Sequence, residues 1–442
     1  MSRDSFGTKN RAQLIDRILG RKAGDAAARD QVPLRAPVRP SVPEAFTRFD
    51  RHPGYEKMLV PKAAANRLGL ANPFFRTHEG VAGAYTFIDG RRYINFSSYN
   101  YLGLSGHPAV NQAAIDAIAR YGTSASASRL VAGERPVQRD LEVAIAELYG
   151  VEDCIVFVSG HATNVSTIGY LFGPRDLIVH DALIHNSVLE GAKLAGAARR
   201  SFSHNDHQAL DRILTEIRGQ FERVLIVVEG LYSMDGDIPD LPALVEIKRR
   251  HKAFLMVDEA HSLGVLGATG RGIREHHGVE GPAVDIWMGT LSKTLAGCGG
   301  YIAGEGVLIE NLKYAAPGFV YSVGIAPSLA ATSLEALRMM LREPERVVRL
   351  RSRARFFLER MGEAGMNTGF SQGYAVVPVI TGSSLKATRL SNQLFEAGIN
   401  VQPIIHPAVE ERAARLRFFL SALHSDEELE YVCKTIRELA AG

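Results

Sequence analysis

Three side chains set out the chemistry. Lys293 lies in Gly289-Thr290-Leu291-Ser292-Lys293, just after the apolar run 285–288. Asp258 follows the apolar run 253–256, and His261 stands three residues beyond it. An amine, a carboxylate and an imidazole delivered by two strand ends suit pyridoxal phosphate (PLP). The lysine can form a Schiff base with the cofactor aldehyde. The aspartate can hold the pyridine nitrogen protonated, so that the ring acts as an electron sink. Asp258-Glu259-Ala260-His261 also fits a helicase ATPase motif, but that reading requires a G-x-x-x-x-G-K-[ST] phosphate loop, which the chain lacks.

The elements that must position these groups alternate in type from about residue 108 onward. Strands are expected over 154–158, 177–179, 200–203, 224–228, 254–257, 286–288 and 301–303, with amphipathic helices such as 208–217 and 241–250 between them. This pattern predicts an α/β fold with a mostly parallel, buried, seven-stranded sheet. Ligands on such sheets bind beyond the strand C-termini, where Ser159, Glu229, Asp258 and Thr290 are expected to lie. A smaller α+β C-terminal domain should follow, with one long helical pattern over 328–364, a strand over 376–380 and a last helix over 427–440. Ahead of the sheet, 85–88 and 93–96 flank Asp89-Gly90 and read as a hairpin. Helical stretches are expected over 9–22 and 54–70, with a stiff linker marked by Pro33, Pro37, Pro40 and Pro43 between them. The domain division is therefore 1–62 (extension and linker), 63–107 (hairpin segment), 108–327 (large domain) and 328–442 (small domain).

At 442 residues, 46% hydrophobic and 22% charged, the chain has the composition of a globular enzyme. No apolar run reaches the roughly 18 residues of a transmembrane helix, and residues 1–10 show no signal-peptide core. Cys154, Cys298 and Cys433 form neither a disulfide framework nor a metal spacing, and His276-His277 has no acidic or Cys partner. No metal is expected, and a reducing cytoplasm fits. The net charge of +3 gives no sign of nucleic-acid binding. Its distribution is uneven: residues 1–62 hold 13 Lys+Arg against 7 Asp+Glu, the remainder 38 against 41. Such a basic tail is either a solvated leader or a docking element for an acidic partner.

Further motifs occur in order. They are Ser98-Tyr99-Asn100-Tyr101-Leu102-Gly103, Ser128-Arg129-Leu130-Val131-Ala132-Gly133, Ser159-Gly160-His161-Ala162-Thr163-Asn164, and Asp181-Ala182-Leu183-Ile184-His185-Asn186-Ser187. Then come Phe202-Ser203-His204-Asn205-Asp206, the loop from Glu229 to Asp237, Phe319-Val320-Tyr321-Ser322 and Arg415-Leu416-Arg417. From about Asn95 to Glu438 the chain resembles the α-oxoamine synthase family of fold-type-I PLP enzymes, most closely its serine palmitoyltransferase-like and polyketide-associated members. It departs from the family pattern at Tyr99, where many members have Asn, and at Gln138, His161 and Ala408.

The resemblance implies roles. Lys293 forms the Schiff base, Asp258 pairs with the ring nitrogen, His261 bonds the phenolic oxygen, and His185 stacks on the ring. Lys293, His185 and Asp258 are the catalytic set. Ser159, Gly160, His161, Thr290 and Ser292 belong to the phosphate end, where a helix N-terminus binds anions well. Ser233 contacts the cofactor, Ser322 reaches the partner's phosphate in a homodimer with shared active sites, and Asn100 contacts substrate. Arg417, with Arg415 as fallback, fixes the amino-acid carboxylate through its planar fork. The implied reaction is a decarboxylative condensation of an α-amino acid with an acyl thioester, giving an α-amino ketone, carbon dioxide and free thiol. The acyl donor is carried on coenzyme A or on an acyl carrier protein, and the basic tail favours the carrier. Aminotransferase or aldolase chemistry and a non-catalytic scaffold subunit are the competing readings; the synthase motifs disfavour the first, and Lys293 with Asp258 the second.

Overall fold

The computed structural model describes residues 42–441. The helix expected over 9–22 and most of the proline-marked linker lie outside them. The chain falls into two compact units that divide after Gly69. The first contains short 3-10 turns, Glu44–Thr47 and Phe49–Arg51, and the helix Pro53–Arg67.

The second unit is built on a sheet of seven strands: β3 (Asp153–Phe157), β4 (Leu177–Asp181), β5 (Ala198–Phe202), β6 (Val224–Glu229), β7 (Phe254–Asp258), β8 (Ile286–Thr290) and β9 (Gly300–Gly304). Their order is β3-β9-β8-β7-β6-β4-β5. Only β9 runs antiparallel, against β3 and β8. The sheet is buried on both sides because the central strands are apolar at every position rather than at alternate ones. Val224, Ile226 and Val228 feed one core, and Leu225 and Val227 feed the other. With this register Glu229 lies opposite Asp258 at the ends of β6 and β7. Strand β8 continues two residues beyond the expected 286–288, so Thr290 is its last residue.

Two small sheets complete the unit. The expected hairpin forms as β1 (Tyr85–Ile88) and β2 (Arg91–Asn95). Strand β11 (Ile399–Asn400) adds to it in parallel, a long-range pairing that local patterning does not announce. The other sheet is antiparallel: β10 (Val376–Ile380), β13 (Arg415–Phe419) and β12 (Pro403–Ile404). The single long helix expected over 328–364 is corrected to two, Pro327–Arg342 and Glu345–Glu363. Pro344 separates them, having no N–H to continue the helical ladder and a ring that clashes with the preceding turn. The last helix is Asp426–Ala441.

Candidate active site

Side chains converge where β6, β7 and β8 end. Asp258 is buried; its Oδ1 accepts from Ala260 N at 3.0 Å and its Oδ2 from Asn164 Nδ2 at 3.0 Å. Next to it, Glu229 Oε2 accepts from Ser233 N at 3.0 Å, while Oε1 is buried without a partner. Burial, reinforced by the neighbouring Asp258 charge, pushes the Glu229 carboxyl up to about 8. Burial draws the Lys293 amine down to about 8, against the pull of Asp258 and Glu229, and Arg417 adds to the lowering. An amine with a depressed pKa in an apolar setting is a nucleophile near neutrality.

Aromatic rings frame this amine. Lys293 Nζ sits 5.4 Å from the Tyr99 ring centroid, Tyr99 meets Phe419 edge-on at 4.9 Å, and Arg417 lies 4.6 Å from the Phe419 ring. His261 Nδ1 is 2.8 Å from Tyr101 OH. Burial, then the charges of Lys293 and Arg417, holds this imidazole well below its ordinary pKa. Burial also lowers His185, which is Asp258-facing; the Lys293, His161 and Arg417 charges lower it further.

The other end of the site is a helix start. Ser159 caps the helix Gly160–Leu171, its Oγ accepting from Ala162 N at 3.3 Å. A Cβ on Gly160 would fall 2.9 Å from Thr290 Oγ1, so only glycine lets the helix approach β8 this closely. Thr290 Oγ1 is 2.9 Å from Ser292 Oγ. The site therefore joins hydroxyls and helix N–H groups at one end to a carboxylate at the other, with an amine between. That donor set fits the phosphate, pyridine nitrogen and aldehyde of PLP.

The loop from Glu229 to Asp237 supplies Ser233, whose backbone O accepts from Arg417 Nη1 at 3.0 Å. Gly236 turns this loop at φ +77°, where a Cβ would collide with Val376 O at 2.1 Å. Arg415 Nη1 pairs with buried Asp235 at 2.9 Å. Arg417 Nε is buried and unpartnered, and among the described residues the guanidinium forms no ion pair.

Of the residues expected at the site, Lys293, Asp258, His185, His261, Ser233 and Arg417 meet around one centre, with Ser159, Gly160, Thr290 and Ser292 at its phosphate-like end. His161 is exposed and lies edge-on to His185 at 6.4 Å. Ser322 stands apart in a crevice with Arg129, Phe157 and Phe319. Asn100 lines an open cleft of about 320 Å³ beside Ser292 and Lys293. However, its Nδ2 donates to Ala82 O and Ser105 O, and its Oδ1 accepts from Ser105 N. The neighbouring Tyr99 instead turns its ring to Lys293. Sequence reasoning assigned no role to Tyr99, Tyr101, Asn164 or Ser187. Their signal was present only as membership of the quoted motifs.

The family model for aminotransferase class I and II matches residues 91–436. An 8-amino-7-oxononanoate synthase of Symbiobacterium thermophilum is 41% identical over 345 residues, 78% of this chain and 88% of that protein. Among solved structures, a serine palmitoyltransferase of Sphingomonas wittichii superposes with a TM-score of 0.84 at 30% identity, covering 88% of this chain and 98% of that one. A serine palmitoyltransferase structure described as holding PLP as internal aldimine superposes with a TM-score of 0.83 at 28% identity, over 88% and 98% of the two chains.

Proposed function

This chain belongs to the aminotransferase class I and II family and, within it, to the α-oxoamine synthases, and from that membership we propose that the cluster around Lys293 is its working site. The protein is a PLP-dependent acyltransferase that condenses an amino acid with an acyl thioester and releases carbon dioxide. When bound, PLP supplies the electron sink for the carbanion at the amino-acid α-carbon. Lys293, Asp258, His261, His185 and Ser233 would hold it, with Ser159, Gly160, Thr290 and Ser292 at its phosphate.

The observation that carries the residue assignment is the half-buried Arg417 guanidinium, which has a buried, unpartnered Nε and no ion pair among the described residues, beside a lysine with a depressed pKa. A partly desolvated cation without a carboxylate is costly unless a ligand supplies one. An amino-acid carboxylate seated there places its α-carbon toward Lys293, and the neutral Lys293 Nζ takes the α-proton. The rings of Tyr99 and Phe419 flank this space and make the surroundings of the amine less polar. Arg417 then holds the carboxylate until it leaves as carbon dioxide.

The working form is read as a homodimer. Val131 (82% exposed) and Tyr321 (86% exposed), with Leu130 and Val323, present apolar surface on adjoining segments tied by Ser128 Oγ to Val320 O at 2.7 Å. Ser322 lies in that surface and is assigned to the partner's phosphate. The large domain is assigned to 108–327, which holds the whole seven-stranded sheet, and the small domain to 328–442. Among the described residues no helix is long and apolar enough to cross a membrane. The free thiols of Cys154, Cys298 and Cys433 fit a reducing cytoplasm.

The test is a crossed screen of amino acids with acyl thioesters on coenzyme A and on carrier protein. Released thiol and an α-amino ketone detected by mass spectrometry support the reading. Keto acid without thiol release would replace it with transamination.

A further inference from the structure

We propose that Asn164 and Ser187 are positioning residues that lock His185 in the tautomer carrying its proton on Nε2, so that the imidazole offers the reacting molecules a hydrogen-bond donor rather than a base. The functional half of this inference rests on the reading of the Lys293 cluster given above. The lock itself rests on a chain of buried hydrogen bonds.

The chain starts at Asp258. An ionised carboxylate only accepts, so the Asn164 atom 3.0 Å from Asp258 Oδ2 must be the amide nitrogen. An inverted amide would set oxygen against oxygen. The same nitrogen has a second hydrogen, and this meets Ser187 Oγ at 2.9 Å. Ser187 Oγ thus accepts from Asn164 and keeps its own hydrogen to give away. His185 Nδ1 lies 2.7 Å off and takes it. The Ser187 backbone N–H also points at Nδ1, at 3.3 Å. A protonated Nδ1 would oppose this N–H donor to donor. Nδ1 is therefore the bare nitrogen, and a neutral ring must carry its single proton on Nε2.

Burial makes the order durable. Asn164 and Ser187 are essentially inaccessible, and Asp258 nearly so. An unmade hydrogen bond in such surroundings costs more than one in water. Every link is fixed by Asp258, the residue assigned to the pyridine nitrogen, so one charge would organise both the cofactor and the imidazole.

The division of labour follows. With Nδ1 occupied and Nε2 already protonated, His185 has no lone pair to receive the α-proton. That duty falls to Lys293 Nζ, while His185 Nε2–H can donate to an oxygen of the substrate or thioester.

Nitrogen NMR on protein with isotopically labelled histidine rings reads the lock directly, with the His185 signals identified by their loss in His185→Asn. In the wild-type holoenzyme and apoenzyme, Nδ1 should be unprotonated and Nε2 protonated. In Ser187→Ala only the longer backbone N–H contact to Nδ1, 3.3 Å, remains, so the Nδ1-protonated tautomer should become detectable beside the other, and kcat should fall on the order of tenfold, below the about 10²–10⁴ that removal of a proton-transferring group costs. KM for the amino acid should stay within roughly twofold, because Arg417 rather than His185 is assigned to its carboxylate. A protonated Nδ1 in the wild type overturns the lock, as does a Ser187→Ala enzyme with unchanged ring signals and kcat. Failure of the wild type to take up PLP would instead overturn the site reading, and the apoenzyme signals would still decide the tautomer.

Discussion

Arg415 Nη1 lies 2.9 Å from Asp235 Oδ1, and that buried ion pair decides which arginine of β13 is free for substrate. Arg415 is spent on the fold; Arg417, two residues on, points from the same side of the strand, and its hydrogen-bond partners among the described residues are Ser233 O and Met234 Sδ. Loop and small sheet are thereby riveted together, so that the guanidinium which remains unpaired is presented at a fixed place.

The two arginines should therefore fail differently. Arg417→Gln should leave stability nearly unchanged and raise KM for the amino acid about tenfold or more, since a hydrogen bond to a charged group contributes about 1.5–3 kcal/mol. Arg415→Gln should cost about 3–5 kcal/mol of stability, the usual effect of breaking a buried pair. Urea unfolding and steady-state kinetics on both variants separate the roles. Equal KM defects without a stability difference would contradict the assignment.

The depressed Lys293 amine has a pH signature. Its pKa is about 8 instead of 10.5, so the neutral, reactive form should accumulate as pH rises through about 8. Covalent capture of PLP by the apoenzyme should accelerate across that range and then level. Stability should move the same way: between about 8 and 10.5 the unfolded chain binds the extra proton, so unfolding becomes harder as pH increases. Lys293→Met should abolish covalent capture and flatten the lysine contribution to the stability profile. Stopped-flow absorbance and pH-dependent unfolding give the two readouts.

His204 predicts the opposite slope. Its Nδ1 is 2.9 Å from Asp181 and its Nε2 2.8 Å from Asp237. Burial works against the charge, but the two aspartates outweigh it and raise the pKa from 6.5 to about 10. The stability this imidazolium contributes is fully present below about 6.5 and is lost as pH rises through about 10. His204→Gln leaves two buried carboxylates without their cation and should cost about 3–5 kcal/mol at neutral pH. The gap from wild type should narrow toward pH 10. A gap independent of pH would mean that the ring is neutral in the folded protein.

The strand ends that carry Ser159, Glu229, Asp258 and Thr290 were legible because each closes an uninterrupted apolar run, and such runs are what a buried parallel sheet requires. Lys293 and Asp258 were legible because their motifs are local. Long-range partnerships were not. Choosing between Arg415 and Arg417 required knowing that Asp235, 180 residues earlier, would take one of them. Asn100 is assigned to substrate from sequence, and nothing local announces that in this irregular segment it bonds Ala82 and Ser105 while Tyr99 faces the lysine. The helix break at Pro344 lay in plain view, and the amphipathic pattern on either side concealed it.

The last prediction concerns the second copy of the chain. Ser322 is half-buried in a crevice lined by Arg129, Val158 and Phe319. Its assignment to the phosphate of a second copy requires a partner. The surrounding surface is suited to one. Val131 and Tyr321 are more than four-fifths exposed, and apolar side chains so placed gain by burial against a copy of themselves. Arg129 behind them is fixed by Glu134 at 2.7 Å and by Glu142, which keeps the patch rigid. If the pairing is right, Val131→Glu together with Tyr321→Glu should give a monomer that binds PLP weakly and turns over little. Ser322→Ala should leave the dimer intact and weaken PLP. Mixing Ser322→Ala with Lys293→Ala after subunit exchange then distinguishes the sites. One class combines Lys293 with an intact partner Ser322, the other has neither, and cofactor titration should show two affinities. Sedimentation and absorbance titration report both. A monomer with full activity would remove Ser322 from the site altogether.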